Sequence, residues 1–147
     1  SAGNRRTFTW SGWVKRGTLG VQNFLFSAYN GAGDSGTFLM YFASGDTLVV
    51  QGGTTVWRNT TQVFRDPSAW YHIIFVCDTT QANPTNSMKL YVNGVQVTAF
   101  GTDNRANNAQ NANLGNIAPT EVISLEAMRV GLRGDTFHFY LDKKENA

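Results

Sequence analysis

Apolar and polar residues alternate with a period of two along much of the chain, most plainly between Met88 and Ala99. Met88, Leu90 and Val92 alternate with Lys89 and Tyr91, as in a strand with one buried face. Asn93-Gly94 then supplies the pair favoured where both central residues of a two-residue turn sit at positive φ. Such a turn sets Val92 opposite Val95, Leu90 opposite Val97 and Met88 opposite Ala99, with all six on the buried face. Lys89, Tyr91, Gln96 and Thr98 fall on the other, and a slip of one residue would invert the whole set. Trp70 to Cys77 differs, because both parities are largely apolar: Trp70, His72, Ile74 and Val76 on one, Tyr71, Ile73, Phe75 and Cys77 on the other. This pattern predicts a central strand covered on both sides. The β-branched and aromatic content, with Pro67 just upstream, argues against a helix there.

The same reading predicts strands over Thr7 to Lys15, Val21 to Tyr29, Thr37 to Ala43, Thr47 to Gln51 and Thr55 to Phe64, and later over Val122 to Val130 and Thr136 to Leu141. In the first, Phe8, Trp10, Gly12 and Val14 share one face, while Trp13 lies on the other between Ser11 and Lys15. Gly17-Thr18-Leu19-Gly20, Asn30-Gly31 and Ser44-Gly45-Asp46 are the intervening turns, and Gly52-Gly53 precedes the fifth strand. Gly101 to Asn116 is rich in Asn, Ala and Gln and lacks an apolar period; it reads as a long loop, functional or loosely ordered. Turns recur every ~8–12 residues, the spacing of a sandwich or a barrel, and no helical stripe is present, which predicts one all-β domain spanning residues 1–147, with about a dozen strands.

Composition narrows the function classes. A chain of 147 residues with 41% hydrophobic and only 15% charged residues is long and apolar enough to fold around a core without staples. A formal charge of +2 gives no footprint for nucleic acid, so Arg5, Arg6, Lys15 and Arg16 near the start, and Lys143 and Lys144 near the end, read as solvated charges. Cys77 is the one cysteine, which excludes an intrachain disulfide and a cysteine metal cluster; its apolar strand makes it an inert buried thiol. No window is long and apolar enough to span a bilayer and no signal peptide opens the chain; Ser1-Ala2-Gly3 fits a cloning remnant or a processed start equally.

Three blocks, NRRTFTWSGWVKRG, FRDPSAWYHIIFVCDTT and MKLYVNGVQV, arrive in an order that resembles the concanavalin A-like, laminin-G-type jelly-roll domains, and more narrowly those of bacteriophage tail-fibre and other virion proteins. The resemblance covers most of Asn4 to Val97. It implies two antiparallel sheets packed face to face, one of them concave. The end departs from the family pattern: Val130-Gly131 stands where an apolar-Gly pair is expected, and Phe137-His138-Phe139-Tyr140-Leu141 occupies the place of an F-D-G-Y-L-like strand without its acidic residue and glycine. An altered or short closing strand is an edge that a partner subunit would complete.

Several motifs carry candidate chemistry. Glu121 and Glu126 have the spacing of the two carboxylates in laminarinase-type hydrolases, where such a pair acts as nucleophile and acid/base. Ile123 replaces the intervening Asp, however, and an offset of five puts the pair on opposite faces of an unbulged strand, so solvated glutamates are the expectation. Gly33-Asp34-Ser35-Gly36 and Arg133-Gly134-Asp135 read as turns, and the sequon Asn59-Thr60-Thr61 matters only in a eukaryotic secretory pathway. His72 reads as a packed or hydrogen-bonded strand residue. Calcium, which many relatives of this resemblance bind, would draw on the scattered loop carboxylates of Asp34, Asp46, Asp78, Asp103 and Asp135; no dense ligand string requires a cofactor. For a sugar, the required chemistry is an exposed ring beside amides and hydroxyls, and Trp57, Arg58 and Asn59, Tyr29 and Asn30, with the Asn-rich loop, are the candidates. Most of the four tryptophans are nevertheless expected in the core.

Together these features predict a non-catalytic virion module: a capsid decoration (cement) or fibre protein that binds neighbouring virion subunits and self-associates, with host surface glycan as a further partner. The alternative is a tail-fibre carbohydrate-binding adhesion domain. A glycoside hydrolase using Glu121 and Glu126 is the remote third. The expected location is the virion, capsid or tail, or otherwise extracellular, with no nucleic acid or membrane partner.

Overall fold

A computed structural model describes residues 7–29 and 37–104, and the expectations for Asn30 to Gly36 and for the chain beyond residue 104 lie outside them. Among the described residues nine strands run in chain order: β1 (Thr7–Lys15), β2 (Asn23–Tyr29), β3 (Thr37–Phe42), β4 (Thr47–Gly52), β5 (Thr55–Val63), β6 (Trp70–Asp78), β7 (Met88–Val92), β8 (Val95–Gln96) and β9 (Phe100–Asp103). The one helical element among the described residues is a 3₁₀ turn at Pro84–Asn86. One antiparallel sheet has the order β1-β6-β7-β8 and the other β2-β3-β4-β5-β9, so the all-β, two-layer expectation holds.

The core lies between the sheets and follows strand parity. Val14 from β1, Ile73, Phe75 and Cys77 from β6, and Met88, Leu90 and Val92 from β7 face Phe38, Met40, Phe42, Leu48 and Val50 from β3 and β4. Phe38 is the hub: its ring centroid is 5.7 Å from Phe75 and from Phe26, and 6.0 Å from Phe8 and Trp57. A second aromatic group, Phe42, Phe64 and Tyr71, closes the end beside the β3–β4 turn.

The Asn93-Gly94 turn reverses the chain with φ of 51° and 81°, and Val92 pairs with Val95 as the alternation requires. The return strand is much shorter than the sequence suggests. β8 ends at Gln96, Val95 is 71% exposed and Ala99 is exposed, whereas Val97 does pack on the core. The reason is a change of sheet: the chain leaves β7 at Thr98-Ala99 and continues as β9, which pairs with β5. β9 therefore occupies the start of the segment read as a loop from Gly101. Its four residues are too few to show a period.

Buried charges hold the layers together. Arg58 projects inward from β5, donates to the Met88 carbonyl of the other sheet at 2.7 Å, and pairs with Asp103 of β9 at 2.9 Å. Its guanidinium lies 4.1 Å from the centroid of the Phe100 ring. Arg16, just past β1, donates to the Phe64 carbonyl and to Asp46, which also accepts from Arg65 and from the Gly20 N–H.

Cys77 is buried in β6 as expected, and burial, with Asp78 beside it, pushes its thiol up to about 12. Since the thiolate is the reactive form, the native protein is expected to resist alkylation at pH 8 and to react once unfolded in guanidinium. Full labelling of the native protein within minutes would contradict this placement.

Candidate functional site

The residues proposed from sequence do not converge. Trp57 is 4% exposed and packs in the core, so it offers no ring to a ligand. Strict alternation would send Trp57 and Arg58 to opposite faces, but Val50 pairs with Arg58 while Gln51 pairs with Val56. The extra residue is a β-bulge that turns both side chains inward. Arg58 is occupied by Met88 and Asp103. Asn59 alone of that group lies on the outer face, half-buried beside the Val49 row. Tyr29 ends β2, paired with Thr37, and Asn30 lies outside the described residues.

The loop carboxylates are likewise dispersed. Asp46 is enclosed by its arginines, Asp103 pairs with Arg58, and Asp78 accepts from Thr80 and Gln81 within its own turn. No group of three metal-binding side chains occurs among the described residues. Asp34, Asp135, Glu121 and Glu126 lie outside them.

A different surface gathers the exposed aromatic chemistry. Residues of β1 with odd numbers and of β6 with even numbers share the outer face of the four-stranded sheet, joined by Lys89 and Tyr91 of β7. Register places Thr9, Val76 and Lys89 in one row, Ser11, Ile74 and Tyr91 in the next, Trp13 beside His72 in a third, and Lys15 beside Trp70 in a fourth. Trp13 is 58% exposed and Trp70 50% exposed.

Neighbouring side chains hold this face in place. The Trp13 indole and His72 imidazole stack with centroids 4.8 Å apart and planes 17° from parallel. On its other side His72 Nε2 lies 2.9 Å from Ser11 Oγ, which fixes the imidazole in the plane that stacking needs. The His72 backbone is anchored in turn, its N–H donating to Asn93 Oδ1 at 2.8 Å and its carbonyl accepting from Asn93 N–H. The type I′ turn read from sequence thus also pins the strand carrying the aromatic pair. Ile74, Val76 and Tyr91 are half-buried and continue the apolar surface away from Trp13.

The opposite outer face is more closed. Phe24 is exposed there, but Tyr41 and Val49 beside it are buried. The Tyr41 hydroxyl donates to Gln51 Oε1 at 2.8 Å while Gln51 Nε2 donates to the Gly53 carbonyl, so these polar groups satisfy one another. Burial also raises the Tyr41 phenol above its usual range.

Sequence parity does isolate Trp13 from Phe8, Trp10 and Val14. Trp70 was harder to find, because β6 reads as covered on both sides. In the structure its outer parity is half-covered by cross-strand neighbours and is open at Trp70. Glycine gives the one usable signal for sorting the four indoles. Trp10 lies over Gly12, two residues on, and Trp57 over Gly52 of the next strand, whereas Trp13 and Trp70 have no such partner glycine on their rows.

A jelly-roll pair of sheets agrees with what comparison with known proteins finds. A laminin-G-type family model, described as the concanavalin A-like lectin/glucanases superfamily, matches residues 2–121. No curated protein matches the chain. The matched span takes in all nine strands of the described residues, and the chain therefore belongs to the concanavalin A-like lectin/glucanases superfamily.

Proposed function

We propose that this protein is a non-catalytic glycan-binding module that uses the outer face of the β1-β6-β7-β8 sheet. The observation that carries the reading is the pair of exposed indoles, Trp13 and Trp70, on adjacent strands around the stacked and hydrogen-bonded His72. Solvent-facing indoles of this size are costly unless something covers them, and the apolar face of a pyranose ring suits them. Ser11, Lys15 and Asn93 place a hydroxyl, an amine and an amide beside the rings for the sugar hydroxyls. The superfamily's name joins lectins and glucanases, which supports carbohydrate as the ligand class. Ser11 and His72 resemble a nucleophile and its base, but no third side chain is hydrogen-bonded to the imidazole among the described contacts and the His72 N–H is taken by Asn93 Oδ1, which favours binding over acyl transfer.

Glycan-array binding followed by calorimetry tests the reading. Trp13→Ala and Trp70→Ala are each expected to weaken binding by about tenfold, the order set by the loss of one aromatic contact, with the melting temperature nearly unchanged. Wild-type binding that survives both substitutions would remove this face from consideration.

A virion setting is the second part of the proposal, resting on the resemblance of the three sequence blocks to phage tail-fibre and virion domains. There the same face would serve adhesion to host glycan, or decoration of a capsid through neighbouring subunits and self-association. Immunogold labelling of intact particles distinguishes tail from capsid, and absence from particles would end the virion reading.

A further inference from the structure

The charges around the aromatic face come in pairs of opposite sign, and the pairing bears on what the face accepts. Resting on the glycan-binding role proposed above, we infer that Asp66 and Asp78 are specificity-determining residues of that face. By offsetting Lys15 and Lys89 they deny it a preference for acidic chains and leave uncharged glycan as its ligand.

Register locates the charges. Lys15 stands opposite Trp70 at one end of the face, and Lys89 stands beside Val76 near the other. Asp78 shares the outer parity of β6 and lies opposite Thr7, one row beyond Lys89. With ~3.4 Å per residue and ~4.8 Å between strands, the α-carbons of Asp78 and Lys89 are roughly 8 Å apart. That is inside a Debye length, ~10 Å at 0.1 M salt, so a ligand on the face meets the anion together with the cation. At the other end Asp66 lies in the loop before β6, close enough for the Lys15 charge to act on its carboxyl. Between the two ends, the rows carrying Trp13, His72, Ser11, Ile74 and Tyr91 hold no carboxylate or ammonium group.

Both carboxylates are fixed as well as charged. Asp66 Oδ1 accepts from the hydroxyl and the N–H of Ser68. Asp78 Oδ1 accepts from the hydroxyl and the N–H of Thr80, and Gln81 donates to its other oxygen. These bonds, the Ser68 hydroxyl foremost at Asp66 and the Thr80 hydroxyl foremost at Asp78, hold the two carboxyls below their usual range. An acidic sugar unit therefore gains from each lysine and loses to the aspartate beside it. An uncharged unit is indifferent to both and draws on the rings alone, so selectivity comes from the repulsive element.

The test compares neutral β-glucan and polyuronate tetrasaccharides by calorimetry at about 0.05 and 0.5 M salt. The neutral tetramer is expected to bind, and the uronate to bind no tighter than it at either salt. In the double variant Asp66→Asn and Asp78→Asn, uronate affinity at low salt should rise about tenfold, the order expected from two exposed charges, and fall back at high salt. Neutral affinity should stay within about twofold, which a merely structural lesion would not allow. Asn keeps the Oδ1 acceptor of both turns, and an unchanged melting temperature checks that the variant folds. Tighter uronate binding by the wild type, or no change in uronate binding on the double substitution, overturns the inference and leaves the glycan reading standing. Binding of neither tetramer overturns both.

Discussion

Gly52→Ala is expected to destabilise the protein by about 3–5 kcal/mol, as much as removing a large core side chain. Gly52 ends β4 on its inward face, and the buried Trp57 ring lies directly over its α-carbon. A methyl group there would occupy the space of Trp57 Cζ2 and Cη2. The ring has no room to yield: Phe38 stands on it with centroids 6.0 Å apart, and Phe38 is itself held by Phe8, Phe26 and Phe75. Trp57 must leave its slot or β4 must move away from β5. The clash predicts strong coupling, so in a Trp57→Leu background the added cost of Gly52→Ala should fall well below its cost in the wild type. Urea denaturation of the four proteins in this cycle measures it, and additive costs would show that the indole does not rest on the glycine.

Arg16→Met is the second large effect. The substitution keeps an apolar stem beside Phe42, whose ring centroid lies 4.3 Å from the guanidinium, but removes every donor. The Phe64 carbonyl, which accepts from Arg16 at 2.8 Å in a buried setting, would be left unsatisfied at a cost of about 1–3 kcal/mol. Asp46 would also lose a partner. Its carboxyl is held below the ordinary 3.8 by the Gly20 N–H first; desolvation pushes it up, and hydrogen bonds from Arg65 and Arg16 together with the Arg16 charge bring it down again. A depressed folded-state value means that the stabilisation is fully present above the ordinary value and is lost as pH falls through the folded one. Asp66 and Asp78 are shifted the same way and add to the same acid window. Asp46→Asn should therefore flatten, without abolishing, the loss of stability below pH about 4. Parallel pH profiles for wild type and variant would contradict this account of the turn.

The features legible in sequence were those set by local rules. Asn93-Gly94 needs positive φ and takes it, and Met88, Leu90 and Val92 go inward because a period of two leaves them no other face. β1 and the meander from β2 to β5 follow from the same alternation and their glycine turns. What depended on distant partners was not legible. The exit of the chain at Thr98-Ala99 depends on β5 offering an edge to β9, and nothing between Val95 and Asp103 encodes that edge. Trp57 goes inward because of one bulge and because Gly52, opposite Thr55 on the paired strand, leaves room for its ring, a contact visible only once register is known. Trp70 reads as a core residue because its strand is apolar on both parities, yet it is half exposed at the start of β6. Of the rings, Trp57 of β5 is buried, and the exposed indoles are Trp13 of β1 and Trp70 of β6.

The glycan-binding reading rests on the exposed row of β1 and β6. The aromatic row is held by contacts that do not need a ligand, since Ser11 and Trp13 set the His72 ring from two sides and Asn93 fixes its backbone. Binding there would therefore reorder little of the protein and draw mainly on surface already presented to solvent.

The most direct measurement is an NMR titration of the isotopically labelled protein with linear neutral and acidic hexasaccharides in turn. The account predicts perturbation of the Trp13 and Trp70 indole N–H signals, of His72 and of Tyr91, with Phe24 and Tyr41 on the opposite face unchanged. Perturbations centred on Phe24 and Tyr41, or a spectrum that responds to neither sugar, would contradict it.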